Sequence, residues 1–291
     1  MSTMLSFQNN ELATSFMSME DIKKVCPMAL KSAPTNPNVS NRYVQANTMT
    51  VIEDMSKLGW FPVQAKQCRI NSNSNGVRSF HMIALQNPNI KIFKNVTDEN
   101  GVVTQEVESY PRIILTNSHD GFNSFKFMVG TFRLICSNGL VCGEQMVNMS
   151  IRHINYTFEA LRMVVENAVK QVPNIVNTMN QMKNVILTDD AKKELATAVY
   201  KIRKNIEDDE KVEIKDEVIE DILTPLRKED EQNDLYHIFN VCQEKMIKGG
   251  FVLLNNKNKT RKQRRITSIK KDIDYNQKLW NVARRYLPMA A

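Results

Sequence analysis

The chain has 291 residues, of which 42% are hydrophobic and 24% charged, and its formal net charge is +7. This composition can bury one large core or two modest ones, which excludes a disordered chain. There is no apolar run of about 18 residues, and the first ten residues lack the basic and apolar segments of a secretion signal. We therefore expect a cytoplasmic protein without membrane contact.

Residues 1–47 are expected to form an irregular N-terminal arm. They hold three of the nine prolines and many Asn and Ser residues. Thr48 is predicted to cap a short helix that runs through Leu58 and stops at Gly59.

Residues 48–155 have the pattern of an antiparallel sheet. Four pairs are typical of tight turns between strands: Asn75-Gly76, Asn100-Gly101, Asp120-Gly121 and Asn138-Gly139. Between them lie the candidate strands Val63–Ile70, Ser79–Leu85, Ile90–Val96, Tyr110–Thr116, Phe125–Cys136 and Gln145–Ile154. A helix is the alternative over Phe125–Cys136, although Gly130 disfavours it.

After the sheet, the hydrophobic period changes to that of helices. Residues 156–248 form a helical region, with one stripe ending at Pro173 and another following a Thr188 cap. Residues 249–291 hold a basic loop after Gly249-Gly250 and a last helix capped by Asp272. The predicted fold is α+β, an antiparallel β-meander followed by a mostly helical second half.

Charge is unevenly distributed along the second half. Residues 205–235 carry thirteen acidic and four basic side chains, whereas residues 251–271 carry eight basic side chains and no acidic one. Clustered like charges repel each other and favour binding to a polyanion such as nucleic acid. The candidate nucleic-acid-binding residues are Lys257, Lys259, Arg261, Lys262, Arg264, Arg265, Lys270 and Lys271, with Arg133 and Arg152 on strands. A solvated loop, or one paired with the acidic stretch, is the alternative.

The remaining candidates for chemistry are less specific. Trp280 and Tyr286 are expected in the core, with stacking on bases as the alternative. His81, His119, Asp120 and His153 would be the ligands of a metal-dependent nuclease, but their spacing favours hydrogen-bonded structural roles and no metal. No phosphate-binding or nucleophile motif is present, so we expect no cofactor and favour a protein that is not an enzyme.

The segment Leu115–Gly121 (LTNSHDG), followed by Gly130–Arg133 (GTFR) and Cys136–Glu144 (CSNGLVCGE), resembles a phage/plasmid-like family of unknown function. That family occurs in bacteriophages, plasmids and cryptic prophages. Asn117, His119, Asp120, Gly121, Asn138 and Gly139 carry the motif. The helix that ends at Gly249-Gly250, the basic loop and the closing helix follow in the same order, and the resemblance spans about Tyr43 to Leu287.

The resemblance implies a mobile-element protein and assigns it no activity. Beside it, the charge pattern favours binding of single-stranded DNA in replication or recombination, without ATP hydrolysis. A host-interaction or anti-defence factor acting through protein contacts is one alternative. A metal-dependent nuclease is the other, and a homo-oligomer stays open.

Overall fold

An antiparallel sheet fills the first half of the chain and helices fill most of the second, which confirms the α+β prediction. The computed structural model describes residues 16–32, 34, 36, 47–68, 79–121, 123, 125–133, 138–140, 156–254 and 260–287. The main sheet contains β1 (Phe61–Gln67), β2 (His81–Gln86), β3 (Ile92–Thr97), β4 (Val103–Asn117), β5 (Lys126–Arg133) and β6 (Asn138–Leu140). Over these ranges the strand order is β1-β2-β4-β5-β6, and β3 also pairs with β4.

The long strand β4 organises this sheet. Its C-terminal part pairs with β2 from Arg112 to Asn117, and its N-terminal part pairs with β3 from Val103 to Ser109. Strand β5 pairs with β4 only from Ser109 to Thr116. Among the described strands, the β3–β4 hairpin therefore extends beyond the rest of the sheet as a two-stranded arm.

Seven helices are described. They are α1 (Met19–Val25), α2 (Thr48–Lys57), α3 (Phe158–Lys183), α4 (Asp189–Lys204), α5 (Asp216–Leu223), α6 (Leu235–Lys248) and α7 (Ile269–Arg284). Short 3₁₀ turns lie at Pro27–Leu30 and Lys228–Asp230, and the hairpin β7 (Val252–Leu254) and β8 (Thr260–Lys262) separates α6 from α7. None of the helices in these ranges is both long enough and apolar enough to cross a bilayer.

The two faces of the sheet are covered differently. Ile83 and Leu85 of β2 lie on the face that belongs to the main core, together with residues of α1, α2 and α3. Met82 and Ala84 lie on the opposite face, where Ile269 of α7 packs against them. This alternation is the period-two pattern of a strand buried on both sides. The last helix thus contacts the sheet as well as the other helices.

Several predicted boundaries were wrong. Helix α3 passes through Pro173 and ends at Lys183, because an exposed proline loses only one backbone donor and the flanking apolar residues still pack. Asn138-Gly139 lies in β6, where Asn138 pairs with Arg133, so it is not the tight turn itself. The N-caps are Asn47 and Ser268 rather than the predicted residues.

Other predicted features are confirmed, and some fall on residues outside the described ranges. Gly101 has a φ of +80° in the turn between β3 and β4, and Thr188 caps α4. Part of the N-terminal segment is helical, and its Ile22 is fully buried in the main core. The predicted strand Gln145–Ile154 and the pair Asn75-Gly76 lie outside the described residues.

Candidate functional site

The family motif lies where β4 ends beside the start of β2. Asn117, Ser118 and His119 are fully buried, and Asp120 is 2% exposed. Buried polar groups are costly unless they are hydrogen-bonded. The partners of these side chains therefore decide whether the motif is structural or reactive.

One chain of hydrogen bonds crosses from the sheet to α2. Asn117 Nδ2 donates to Thr48 Oγ1 at 3.0 Å, and Thr48 Oγ1 lies 2.8 Å from His81 Nε2. His81 Nδ1 lies 2.6 Å from the Ser79 carbonyl oxygen, which can only accept. The proton is therefore on Nδ1, and Nε2 accepts from the Thr48 hydroxyl. Burial lowers the pKa of His81 to about 3, so the ring is neutral at physiological pH.

A second set of bonds fixes the turn itself. The Asp120 carboxylate accepts from the Ser79 amide at 3.1 Å, and the His119 amide donates to Ser79 Oγ at 2.7 Å. The rings of His81 and His119 lie 5.0 Å apart. Gly121 follows with a φ of +76°. The structure thus brings together three of the proposed metal ligands, and His153 lies outside the described residues.

Hydrogen bonds within the protein engage the side chains of Asn117, His81 and Asp120. No group of three or more His, Cys, Asp or Glu side chains able to hold a metal ion occurs in the described ranges. Both ring nitrogens of His81 are engaged by neighbouring protein groups. The motif fixes the end of the sheet against α2 through its side chains.

The basic residues form a separate, exposed surface. The six described members are Arg261 and Lys262 of β8, Arg264 and Arg265 after it, and Lys270 and Lys271 in the first turn of α7. We call these six residues the cationic surface. The predicted basic loop is wrong in part, since β7 and β8 pair as a hairpin and Lys270 and Lys271 lie in α7. Lys257, Lys259 and Arg152 lie outside the described residues, and Arg133 is described only by its backbone, which pairs with Ser109 of β4.

All six side chains of the cationic surface are exposed. In the part of the chain that the structure describes, none of them has a carboxylate within ion-pair distance. Three carboxylates of the acidic stretch are paired with other bases: Asp208 with Arg285 at 2.7 Å, Asp221 with Lys245 at 3.2 Å, and Asp230 with Arg227 at 3.0 Å. These contacts therefore do not support the alternative in which the acidic stretch neutralises the basic segment through ion pairs.

The hairpin that carries the cationic surface is firmly held. The Gly250 amide donates to the Gln263 carbonyl at 3.0 Å, and the Ile266 amide donates to the Ile247 carbonyl at 2.8 Å. A Cβ atom on Gly249 would lie 2.5 Å from the Gln263 carbonyl oxygen. Only glycine permits this approach at position 249, and Gly250 follows with a φ of +99°, which also favours glycine.

Arg203 of α4 clamps the same segment from the other side. Its guanidinium donates to the Met246 carbonyl at 3.1 Å, to Gln263 Oε1 at 3.1 Å and to the Arg264 carbonyl at 2.8 Å. Burial lowers the pKa of Arg203. The clamp orients the backbone at Arg264, so the neighbouring side chains project from a fixed frame.

Trp280 and Tyr286, for which stacking on bases was the alternative, make contacts within the protein. Trp280 is 3% exposed and packs edge-on against Phe239 at 5.7 Å, so its expected core position is confirmed. The Tyr286 hydroxyl donates to Glu194 at 2.9 Å. The ring beside the cationic surface is instead Phe80, whose centroid lies 5.1 Å from Lys270 Nζ.

The sequence did not predict that Arg203, Phe80, Thr48 and Ser79 contribute to these two sites. Arg203 lies in the last turn of a helix, where a basic residue is ordinary, so no local signal marked it. Ser79 had a signal, because it precedes a buried strand and a serine there can bond to a facing turn. Their roles depend on contacts between residues far apart in the chain.

These features define an α+β protein with a buried polar motif at one end of its sheet and an exposed cationic surface near its C-terminal helix. The chain belongs to the family described as Domain of unknown function (DUF932), whose model matches residues 38–280. This confirms the resemblance drawn from the motif.

Two relatives come from Escherichia coli (strain K12). The chain is 28% identical over 274 residues to UPF0380 protein YafZ, covering 93% of this chain and 92% of the relative. It is also 28% identical over 274 residues to UPF0380 protein YfjQ, with the same coverage. No solved structure matches.

Proposed function

We propose that this protein binds nucleic acid, with single-stranded DNA as the favoured ligand, through the cationic surface. The observation that supports this most directly is six exposed basic side chains with no ion-pair partner in the described ranges. Phosphates would supply the missing counter-charge and release condensed ions on binding. Such binding needs no nucleotide hydrolysis, and the sequence contains no motif for it.

The anchored hairpin makes this surface suited to a polyanion. Bonds from the Gly250 amide and the Arg203 guanidinium hold the backbone carbonyls of Gln263 and Arg264. A ligand therefore meets charges that are already positioned, and less conformational entropy is lost on binding.

Phe80 supports the choice of a single strand. Its ring is half-buried directly before β2 and lies beside Lys270. Unpaired bases expose faces that stack on aromatic rings, whereas the bases of a duplex do not. A single strand would thus gain a contact that a duplex lacks. We propose that this binding serves the replication or recombination of a mobile element, the kind of genetic element that the family resemblance implies.

The test is a fluorescence anisotropy titration with a labelled single-stranded oligonucleotide over a series of salt concentrations. If six phosphates are contacted, the affinity should fall about 300-fold between about 50 and about 200 mM salt. The variant with Arg261, Lys262, Arg264 and Arg265 replaced by alanine should lower the salt slope by about 3, because each contact contributes about 0.7.

A matched control removes the same net charge elsewhere. Alanine replaces the exposed lysines Lys193, Lys211, Lys215 and Lys228, which lie in or near the acidic stretch and on α4. This variant should keep the salt slope of the wild type. Absence of binding at low salt, or equal loss in both variants, would refute the proposal.

A host-protein contact through the acidic stretch is the second candidate. Glu207, Asp209, Glu210 and Glu213 are exposed, and none forms an ion pair within the described ranges. Reversing these four charges should abolish capture of such a protein, while the alanine variant of the cationic surface should retain it. Loss of capture in the cationic variant would exclude this candidate.

A further inference from the structure

The β3–β4 arm has a strand edge without a neighbour in the described ranges. Ser109 pairs with Ile92 of β3 on one side and with Arg133 of β5 on the other. Since a strand has only two edges, β3 and β5 lie on opposite sides of β4. Before Ser109, β5 contributes no further pairs, so the edge of Val103–Val107 that faces away from β3 has no described strand beside it.

In the described ranges the side chains from Val103 to Glu106 are exposed, and this stretch contains no proline; the irregularity in the β3–β4 pairing lies just beyond it, between Val107 and Ser109. Val103 is 60% exposed, Val102 55% and Phe93 49%. Natural edge strands are commonly blocked by prolines, bulges or unpaired charges. From Val103 to Val107 the only charged side chain is Glu106, which is already matched by Lys94 of β3 at 3.5 Å.

We propose that this edge of β4 binds the same edge of a second copy of this chain, in antiparallel register about Gln105. A two-fold axis at Gln105 places Val103 opposite the second copy's Val107 and Thr104 opposite its Glu106. Every position then meets a compatible partner, as a two-fold interface requires. No like charges face each other across the new pair of strands.

The neighbouring strands extend the match. Phe93 pairs with Val107 and Thr97 pairs with Val103 within one copy. In the proposed register, Phe93, Val107 and the second copy's Val103 form one continuous apolar row across the joined arms. On the opposite face, the Lys94–Glu106 pair stands beside Thr104 of the second copy. The two arms would form a four-stranded ribbon, a more stable unit than two separate hairpins.

A pairing of five residues gives a small interface. It falls below the roughly 1,200 Å² of a standard stable complex, so the dimer should be weak and depend on concentration. Sedimentation velocity over a micromolar concentration series should show a monomer–dimer equilibrium for the wild type. A wild type that is monomeric throughout the series would overturn the proposal.

A charge introduced on the symmetry axis tests the register. Gln105→Lys and Gln105→Glu each place like charges opposite each other, so each variant alone should be monomeric. An equimolar mixture should recover the dimer, because lysine then faces glutamate. Failure of the mixture to associate, or dimerisation of either variant alone as in the wild type, would overturn the register.

A cysteine at the same position provides a second readout that does not depend on affinity. Directly opposed residues of an antiparallel pair have Cβ atoms about 4.5–5.5 Å apart, within reach of a disulfide after small adjustments. Gln105→Cys should therefore give a covalent dimer on mild oxidation. Lys211→Cys, on an exposed segment far along the chain, is the control. Equal crosslinking of the two variants would contradict the proposal.

Discussion

The double glycine after α6 offers the sharpest test of how the cationic surface is held. Gly249 has a φ of +75° and a ψ of −146°, a conformation that is almost restricted to glycine. Alanine there costs about 1–3 kcal/mol for the backbone. Its Cβ would also lie 2.5 Å from the Gln263 carbonyl oxygen and 2.9 Å from the Arg264 carbonyl carbon. Such overpacking adds about 1–3 kcal/mol.

Gly250→Ala is the matched comparison. Gly250 has a φ of +99°, but a Cβ atom there would have nothing within 4 Å. It should therefore lose only the backbone contribution of about 1–3 kcal/mol. The assay is urea unfolding of the wild type and both variants, with the free energy of unfolding taken from the midpoint and slope. Equal destabilisation by the two substitutions would refute the close approach of the hairpin backbone to α6.

Three further predictions concern buried polar groups. The pKa of His81 is lowered to about 3 in the folded state, so the unfolded chain binds the extra proton first as pH falls below about 6.5. The free energy of unfolding should decrease from pH 6.5 towards pH 3 by up to several kcal/mol, and urea midpoints should decrease less steeply in His81→Gln. Thr48→Val leaves Asn117 Nδ2 and His81 Nε2 without their partner and should cost about 2–4 kcal/mol in urea unfolding. In the wild type, Arg227 binds the Glu244 carboxylate at 2.6 Å. Arg227→Met removes this partner and should lower the free energy of unfolding by about 3 kcal/mol, measured by urea unfolding.

Controls for these variants come from the protein's exposed positions. Thr188→Ala removes a helix cap at the surface and should cost about 1 kcal/mol. Arg162→Ala removes an exposed helical ion pair and should cost less than about 0.5 kcal/mol. Similar losses for Thr48→Val and Thr188→Ala would contradict the buried network. An Arg227→Met variant as stable as the wild type would contradict the buried pair.

Local sequence patterns predicted whether a segment is a helix or a strand better than they predicted its first and last residues. The strand-like run beginning at Phe125 is a strand, and the helix before Gly249 ends where glycine requires it. The start of β4 at Val103 was missed because its first residues are exposed on both faces and lack alternation. That exposure arises from the arm, which only the pairing with β3 reveals.

The candidate site was predictable to the extent that it depends on composition. The eight basic residues between positions 251 and 271, a range with no acidic residue, are visible in the sequence, and the described six are exposed. The structural role of His81 depends on Thr48, which lies in a separate helix. The Arg203 clamp likewise joins α4 to a hairpin about sixty residues later. Such pairings depend on the tertiary fold and leave no periodic trace.

The final helix links the two halves of the chain. Ile269 packs on the second face of the sheet, Asp272 forms an ion pair with Lys66 of β1 at 3.1 Å, and Leu279 lies in the core shared with α4 and α6. Removal of the last twenty-odd residues would consequently uncover apolar surface on both halves at once. Neither half is expected to be a viable fragment, and unfolding should be a single cooperative transition that a C-terminal truncation lowers throughout.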